Sequence, residues 1–249
     1  MLILLPPSET KRDGGEEGSS LDLALLGHPE LSRPRRAVIA STRRLSRNRT
    51  TMAAALGLSP KQSFEVERNR QLSTSPTMAA LDRYTGVLYD ALDAQSLDAA
   101  ARRFASAHVA VHSALFGLVG AADPIPAYRL SHNSRLPDLA LRSTWRDAVS
   151  SVLARHEGLI IDLRSEAYVD LGPVPAGRHA FFVRVVAEGP DGRARALNHF
   201  NKKGKGVFVR RLIEAGIDHG AVESLLDWAA ASGIPLSRKG ESELELVVD

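Results

Sequence analysis

Apolar positions in this chain fall into short blocks that stop abruptly against polar clusters. Met1–Leu5 is an unbroken apolar run that meets Pro6-Pro7-Ser8-Glu9-Thr10-Lys11. The run reads as a buried strand. Two prolines cannot continue a central strand, because they lack the N–H that the ladder needs. Leu159–Leu163 repeats the pattern ahead of Arg164-Ser165-Glu166-Ala167-Tyr168, and Phe181–Val186 with Arg195–Phe200 reads as a strand pair ahead of Asn201-Lys202-Lys203-Gly204-Lys205-Gly206. Open α/β sheets hold their ligands beyond the strand ends. Three strand ends carrying Ser, Glu, Tyr and Lys therefore predict one shared polar site.

Between these strands the pattern turns helical. Arg35–Leu56 reads as mostly helix, although Ala37–Ala40 alone fits strand or helix. Ser59-Pro60 and Thr74-Ser75-Pro76 read as helix starts, the latter ahead of Met78–Leu81. Tyr84–Leu92 fits a strand or a buried helix, and Ser96-Leu97-Asp98 caps a helix through Ala105. A long helix is predicted from Ser143 to Arg155. Gly189-Pro190-Asp191-Gly192 reads as a hairpin turn between the two late strands. Lys205–Ala215 and Asp218–Ala231 are predicted helices, with Asp218 as N-cap, and Leu244–Val248 a last strand. The order predicts a single domain over 1–249 with a mixed α/β (α+β) fold, without the regular alternation of a doubly wound sheet.

The absence of cysteine removes disulfides, thiolate nucleophiles and Cys-ligated metals from the candidate chemistry. The opening apolar run is too short for a secretory leader and no stretch reaches the length of a membrane span, so a cytoplasmic location without membrane contact is expected. Net charge is only +3, but it is segregated. From Leu31 to Phe64 there is no acidic residue, while Arg33, Arg35, Arg36, Arg43, Arg44, Arg47, Arg49 and Lys61 all fall there. This basic segment, at about 31–75, predicts an anionic partner: duplex DNA, a nucleotide or phosphate.

The run Asn201–Gly206 reads as a basic turn at a helix start, with Lys202, Lys203 and Lys205 ready for an anion and Arg210 and Arg211 behind them. Its spacing is not that of a Walker A loop, and neither a Gly-x-Ser-x-Gly elbow nor a Gly-x-Gly-x-x-Gly loop is present. Glu9 and Glu166 are the candidate proton carriers, each following a Ser after a strand. Ser8, Lys11, Tyr128, Arg129 and Ser165 complete the anion or substrate pocket. Arg129 either grips a carboxylate or phosphate, or anchors one of the two glutamates. His108 and His112, four apart, share a face if helical, but no third ligand accompanies them. No metal site and no cofactor is predicted. The last two helices form a helix–short turn–helix unit, of a kind that also serves DNA binding.

Taken together these residues resemble the YaaA family of bacterial peroxide-stress proteins. Leu2–Lys11 is similar to the family's strand followed by Ser-Pro-Ala-Lys-Thr or Pro-Pro-Ser-Glu-Thr-Lys. Ser113–Leu118 and Pro126–Leu130 resemble its Ser-Gly-Leu-Tyr-Gly-Val-Leu and Pro-Tyr-Arg-Leu segments. Trp145, Asp162–Tyr168 and the Lys202–Gly206 run follow in the family's order. The resemblance implies a cytoplasmic protein of the peroxide-stress response that limits oxidative damage and free iron. It also implies a compact mixed sheet flanked by helices, and DNA binding through a basic cleft with a helix-hairpin-helix element. The hairpin's typical Gly-x-Gly is missing here, and Leu56-Gly57-Leu58-Ser59-Pro60 is its nearest remnant. A cluster of Ser8, Glu9, Tyr128 and Glu166 is not needed for DNA binding. It sustains an alternative, an enzyme acting on a phosphate-bearing or nucleobase-containing small molecule.

Overall fold

The computed structural model describes residues 1–177, 179–188, 194–195 and 198–248. Its main sheet runs in the order β4 (Gly117–Gly120), β3 (Val109–Ser113), β1 (Leu2–Leu5), β6 (Ile160–Asp162), β7 (Ala180–Glu188), β10 (Glu243–Val248), β9 (Leu236–Arg238), with β8 (Ala194–Arg195) also paired to β7. The five inner strands, from β3 to β10, are parallel, and β4, β8 and β9 pair antiparallel. Strands covered on both faces read as continuous apolar runs. Ile3, Leu4 and Leu5, all of β3, and Ile160–Asp162 are accordingly buried. β2 (Met78–Ala79) and β5 (Pro124–Ile125) form a separate two-stranded sheet.

β1 lies between β3 and β6, with Leu4 opposite Ala110 on one side and Asp162 on the other. The chain visits β3 on one flank of β1 and then crosses to β6, β7 and β10 on the other. The carboxyl ends of β1, β3 and β6 thus meet at a switch point, the place where such sheets open a crevice.

The basic segment folds into α1 (Ser32–Ser46), α2 (Arg49–Leu56) and α3 (Phe64–Arg70). Asn48 caps α2 by accepting the Thr51 N–H at 2.9 Å. Gly57, at φ 61°, ends it in the left-handed conformation that suits glycine. Ser59 then donates its N–H to Gln62 Oε1 at 3.0 Å. The remaining helices are α4 (Ala80–Arg83), α5 (Val87–Leu92), α6 (Ala99–His108), α7 (Leu141–Leu153), α8 (Glu166–Val169), α9 (Asn198–Ala215) and α10 (Val222–Ala231). Asp98 caps α6 as expected, accepting the Ala101 N–H at 2.8 Å.

Several expectations change. The start signal at Thr74-Ser75-Pro76 leads into β2, because Met78 pairs with Ile125, and helix begins only at Ala80. His108 ends α6 while His112 sits in β3, so they share no helical face. Asp218 binds the Met1 amine instead of capping α10, which starts at Val222. Of the strand expected over Arg195–Phe200, Arg195 pairs with β7, whereas Asn198 already begins α9. The expected turn at Gly189–Gly192 lies outside the described residues.

The most consequential change concerns the basic turn. Residues 201–206 lie inside α9, not before it. Gly204 and Gly206 serve packing: a methyl group on Gly206 would stand 2.2 Å from the Leu88 carbonyl oxygen of α5, and one on Gly204 would stand 2.6 Å from Val248 of β10.

Candidate functional site

The turn after β1 carries the first half of a polar centre. Thr10–Arg12 is pinned to the Arg83–Thr85 backbone by hydrogen bonds of 3.2 and 2.9 Å and by a bridge between Lys11 and Tyr84. The Lys11 side chain is buried. Its Nζ donates to the carbonyls of Ser8 at 2.9 Å and Glu9 at 3.3 Å. It also stands 4.0 Å from the centre of the Tyr128 ring and 5.3 Å from that of Tyr84. The nearby carboxylates are already engaged. Glu9 pairs with Arg129 at 2.6 Å, and Glu65 with Arg68 at 3.0 Å. Burial drives the Lys11 pKa down to about 7; Glu65 and Glu9 oppose the shift, while Arg129 and Arg68 add to it.

Beneath the lysine runs a hydroxyl chain. Tyr84 and Tyr128 oxygens are 2.8 Å apart, and Tyr128 and Ser113 oxygens 2.7 Å. Ser113 Oγ accepts the Leu115 and Phe116 N–H groups, each at 3.0 Å. Its own proton therefore goes to Tyr128, and that of Tyr128 to Tyr84. Burial raises all three neighbouring tyrosines, Tyr84, Tyr89 and Tyr128, so they stay protonated. Arg129 is fixed through its backbone: Asn69 of α3 donates to the Arg129 carbonyl at 2.7 Å and accepts its N–H at 2.8 Å.

The second half lies at the end of β6. Arg164 is buried and grips Asp162 with Nε at 2.8 Å and Nη2 at 2.6 Å. Its Nη1 donates to the Gly172 carbonyl at 2.8 Å and to His112 Nδ1 at 2.9 Å. Because guanidinium only donates, His112 Nδ1 is the acceptor and its proton sits on Nε2. That Nε2 has no partner among the described residues. Burial and the adjoining Arg164 hold His112 neutral, well below the usual histidine range. Tyr168 packs edge-on against both His112 and His132. Lys205 reaches in from α9 to the Leu163 carbonyl at 2.9 Å, and burial lowers its pKa to about 8.

Of the residues chosen from sequence, Ser8, Glu9, Lys11, Tyr128 and Arg129 come together, and Lys205 joins the β6 end. Glu166 and Ser165 do not: both are exposed, and Glu166 faces Arg184 at 3.7 Å. Lys202 and Lys203 are exposed inside α9, past its first turn. Ser113, Tyr84, Asp162, Arg164 and His112 were not among the chosen residues. His112 and Ser113 lie in a run that reads as core, and Asp162 looked like a strand residue.

A second, exposed feature lies on the basic segment. Arg43, Arg44 and Arg47 of α1 and its C-cap, with Arg70 of α3, Ala40 and Ser46, line a groove of about 510 Å³. Arg70 is braced on the Ser46 and Arg47 carbonyls at 2.7 and 3.2 Å. Arg44 pairs with Asp138 at 2.8 Å, whereas Arg43 and Arg47 make no ion pair among the described residues. Arg33, Arg36 and Arg49 are also exposed. Arg35 is not available to an outside phosphate. It is fully buried and donates to the carbonyls of Phe116 at 2.8 Å, Leu118 at 2.6 Å and His28 at 3.2 Å, tying α1 to β4. Arg210 is likewise spent, on the Leu92 and Asp93 carbonyls and Glu214, while Arg211 is exposed.

Comparison with known proteins places this chain in a family. The family model described as peroxide stress protein YaaA matches residues 1–233. A UPF0246 protein of Corynebacterium glutamicum is 41% identical over 239 residues, 94% of each chain. One from Corynebacterium efficiens is 41% identical over 255 aligned positions, covering both chains completely, and one from Streptomyces coelicolor is 41% identical over 220, or 87% of this chain and 84% of its own. Among the described residues no helix is long and apolar enough to cross a membrane.

Proposed function

The chain belongs to the peroxide stress protein YaaA family, and on that premise we propose that it acts in the peroxide-stress response by binding duplex DNA, helping to limit oxidative damage and free iron. The arginine groove carries this reading. Four guanidinium groups converge on one concavity, and two of them, Arg43 and Arg47, are not neutralised by a carboxylate among the described residues. Such a surface suits successive phosphates without reading base sequence. The α2–Gly57–Ser59–α3 hairpin sits beside it and is the candidate for the helix-hairpin-helix element. Equilibrium binding of the purified protein to a fluorescent duplex across a salt series tests the proposal. Three or four phosphate contacts give a slope of log K against log salt of roughly −3 to −4. No binding at low salt would end it.

A second reading is favoured by one observation, the buried Lys11 among tyrosines at the switch point. There the chain acts on a small phosphate-bearing or nucleobase-containing molecule, with Arg129 as anion clamp. Glu166, exposed on Arg184, drops out as proton carrier, and Glu9 becomes the clamp's occupant in the absence of ligand. Nucleotides and sugar phosphates that raise the melting temperature of the native protein but not of Arg129→Gln would support this; equal shifts in both would not.

A further inference from the structure

We propose that Lys11 is an amine nucleophile that condenses with the aldehyde or ketone of a small molecule bearing a phosphate or carboxylate. The proposal deepens the second reading, since it rests on the strand-end centre being a ligand site, and it is independent of DNA binding at the arginine groove.

The geometry points to the unprotonated amine as the resident form. A neutral amine has two N–H bonds and one lone pair. Lys11 Nζ has two hydrogen-bond acceptors, the Ser8 and Glu9 carbonyls, and no carboxylate within ion-pairing distance among the described residues. The two N–H bonds are thereby used and the lone pair is left over. An ammonium would have a third N–H with only the tyrosine faces to meet it. Their attraction for a cation is less than the cost of burying the charge. The downward shift of its pKa to about 7 agrees with that count.

Specificity comes from the Glu9–Arg129 pair. The Arg129 side chain is nearly buried, but that of Glu9 is 61% exposed, so the carboxylate is the movable partner. An incoming phosphate or carboxylate replaces Glu9 on the guanidinium fork, which fixes the anionic end of the ligand beside the turn that carries Lys11.

The chemistry balances without a further reagent. The Nζ lone pair attacks the carbonyl carbon, a C–N bond forms, and the carbonyl oxygen takes up one proton as nitrogen loses one, giving a carbinolamine. The carbinolamine then loses its hydroxyl group and the second nitrogen proton as water, leaving the imine. Tyr84 is the free end of the Ser113–Tyr128–Tyr84 chain, and burial keeps its phenol protonated. It is therefore the donor for the departing hydroxyl.

Pyridoxal 5′-phosphate and unphosphorylated pyridoxal, each with cyanoborohydride, test the idea on the full chain, read by intact mass and peptide mapping. The phosphorylated probe should label Lys11 at pH 7 at least tenfold faster than the exposed Lys61 and Lys239, and faster than pyridoxal does. Arg129→Gln should erase that preference for phosphate, bringing the phosphorylated probe's rate down to that of pyridoxal in the same variant. Because mapping is done on the native protein, the result does not depend on whether a Lys11 variant folds. Labelling of Lys11 no faster than Lys61 would overturn the proposal. Saturable binding of the phosphorylated probe by thermal shift with no reducible adduct on Lys11 would also overturn it, while leaving the second reading in place. Neither binding nor adduct would remove both.

Discussion

The strand-end centre and the arginine groove hold similar residue types and treat them in opposite ways. In the centre, Arg164, Lys11 and Lys205 are buried, each with named acceptors, and the two lysines are pushed toward neutrality by lost solvation. In the groove, Arg43, Arg44 and Arg47 stand on one helical stripe in water, and only Arg44 has a carboxylate partner among the described residues. The centre has already met its cost of desolvation during folding, which is what the proposed small-ligand reading draws on. The groove keeps its charge exposed, which is what the proposed DNA reading draws on, since affinity for an extended polyanion comes from released counterions. Cationic residues mark both regions, and burial is what separates them.

The largest effect is expected where a buried charge loses its partner. Arg164→Met leaves the buried Asp162 carboxylate without its cationic partner, holding only the residue-164 backbone N–H at 3.1 Å, and should cost about 3–5 kcal/mol in urea unfolding. A cost below about 1 kcal/mol would mean that the pair is not the structural hinge of the β6 end. Next comes Gly206→Ala, whose methyl group would meet the Leu88 carbonyl. Separation of α5 from α9 should cost about 1–3 kcal/mol. Gly220→Ala, at an open position, should change stability by no more than about 0.5 kcal/mol.

Lys11 supplies a pH-dependent contrast. Its folded pKa, about 7, lies below the 10.5 of a lysine in water. Between these values the unfolded chain holds a proton that the folded chain has released. Native stability relative to Lys11→Met therefore rises with pH through that window, by up to about 1.4 kcal/mol per unit. Below pH 7 both states are protonated and the burial penalty is fully present. A stability difference that stays flat from pH 7 to 10 would contradict a buried, neutralised lysine. The smallest effect is expected on the exposed stripe: Arg43→Ala with Arg47→Ala should move the urea midpoint by an amount equivalent to less than about 0.5 kcal/mol.

The same contrast explains what the sequence revealed. β1, β6 and the polar ends beyond them were legible because an apolar run stopped by prolines or charges has few other readings. The place of Glu9 and Lys11 followed from where β1 ends, whereas Tyr128 and Arg129 join them from the segment after β5. Glycines misled at Gly204 and Gly206. Between lysines they read as a turn, yet they are there because a helix must approach a backbone and a strand closely, a reason that local sequence does not display. Arg35 and Arg36 are adjacent and alike in charge, but the first is sealed beneath β4 and the second faces water. His112 and Ser113 were hidden because a polar residue inside an apolar run looks like core until its partners are known.

The decisive quantity is the salt slope of duplex DNA binding by the native chain beside that of the Arg43→Ala/Arg47→Ala variant. Loss of two phosphate contacts should lower affinity at low salt and make the slope shallower by about 2. Equal slopes and equal affinities, with both proteins folded, would show that DNA does not lie in the arginine groove.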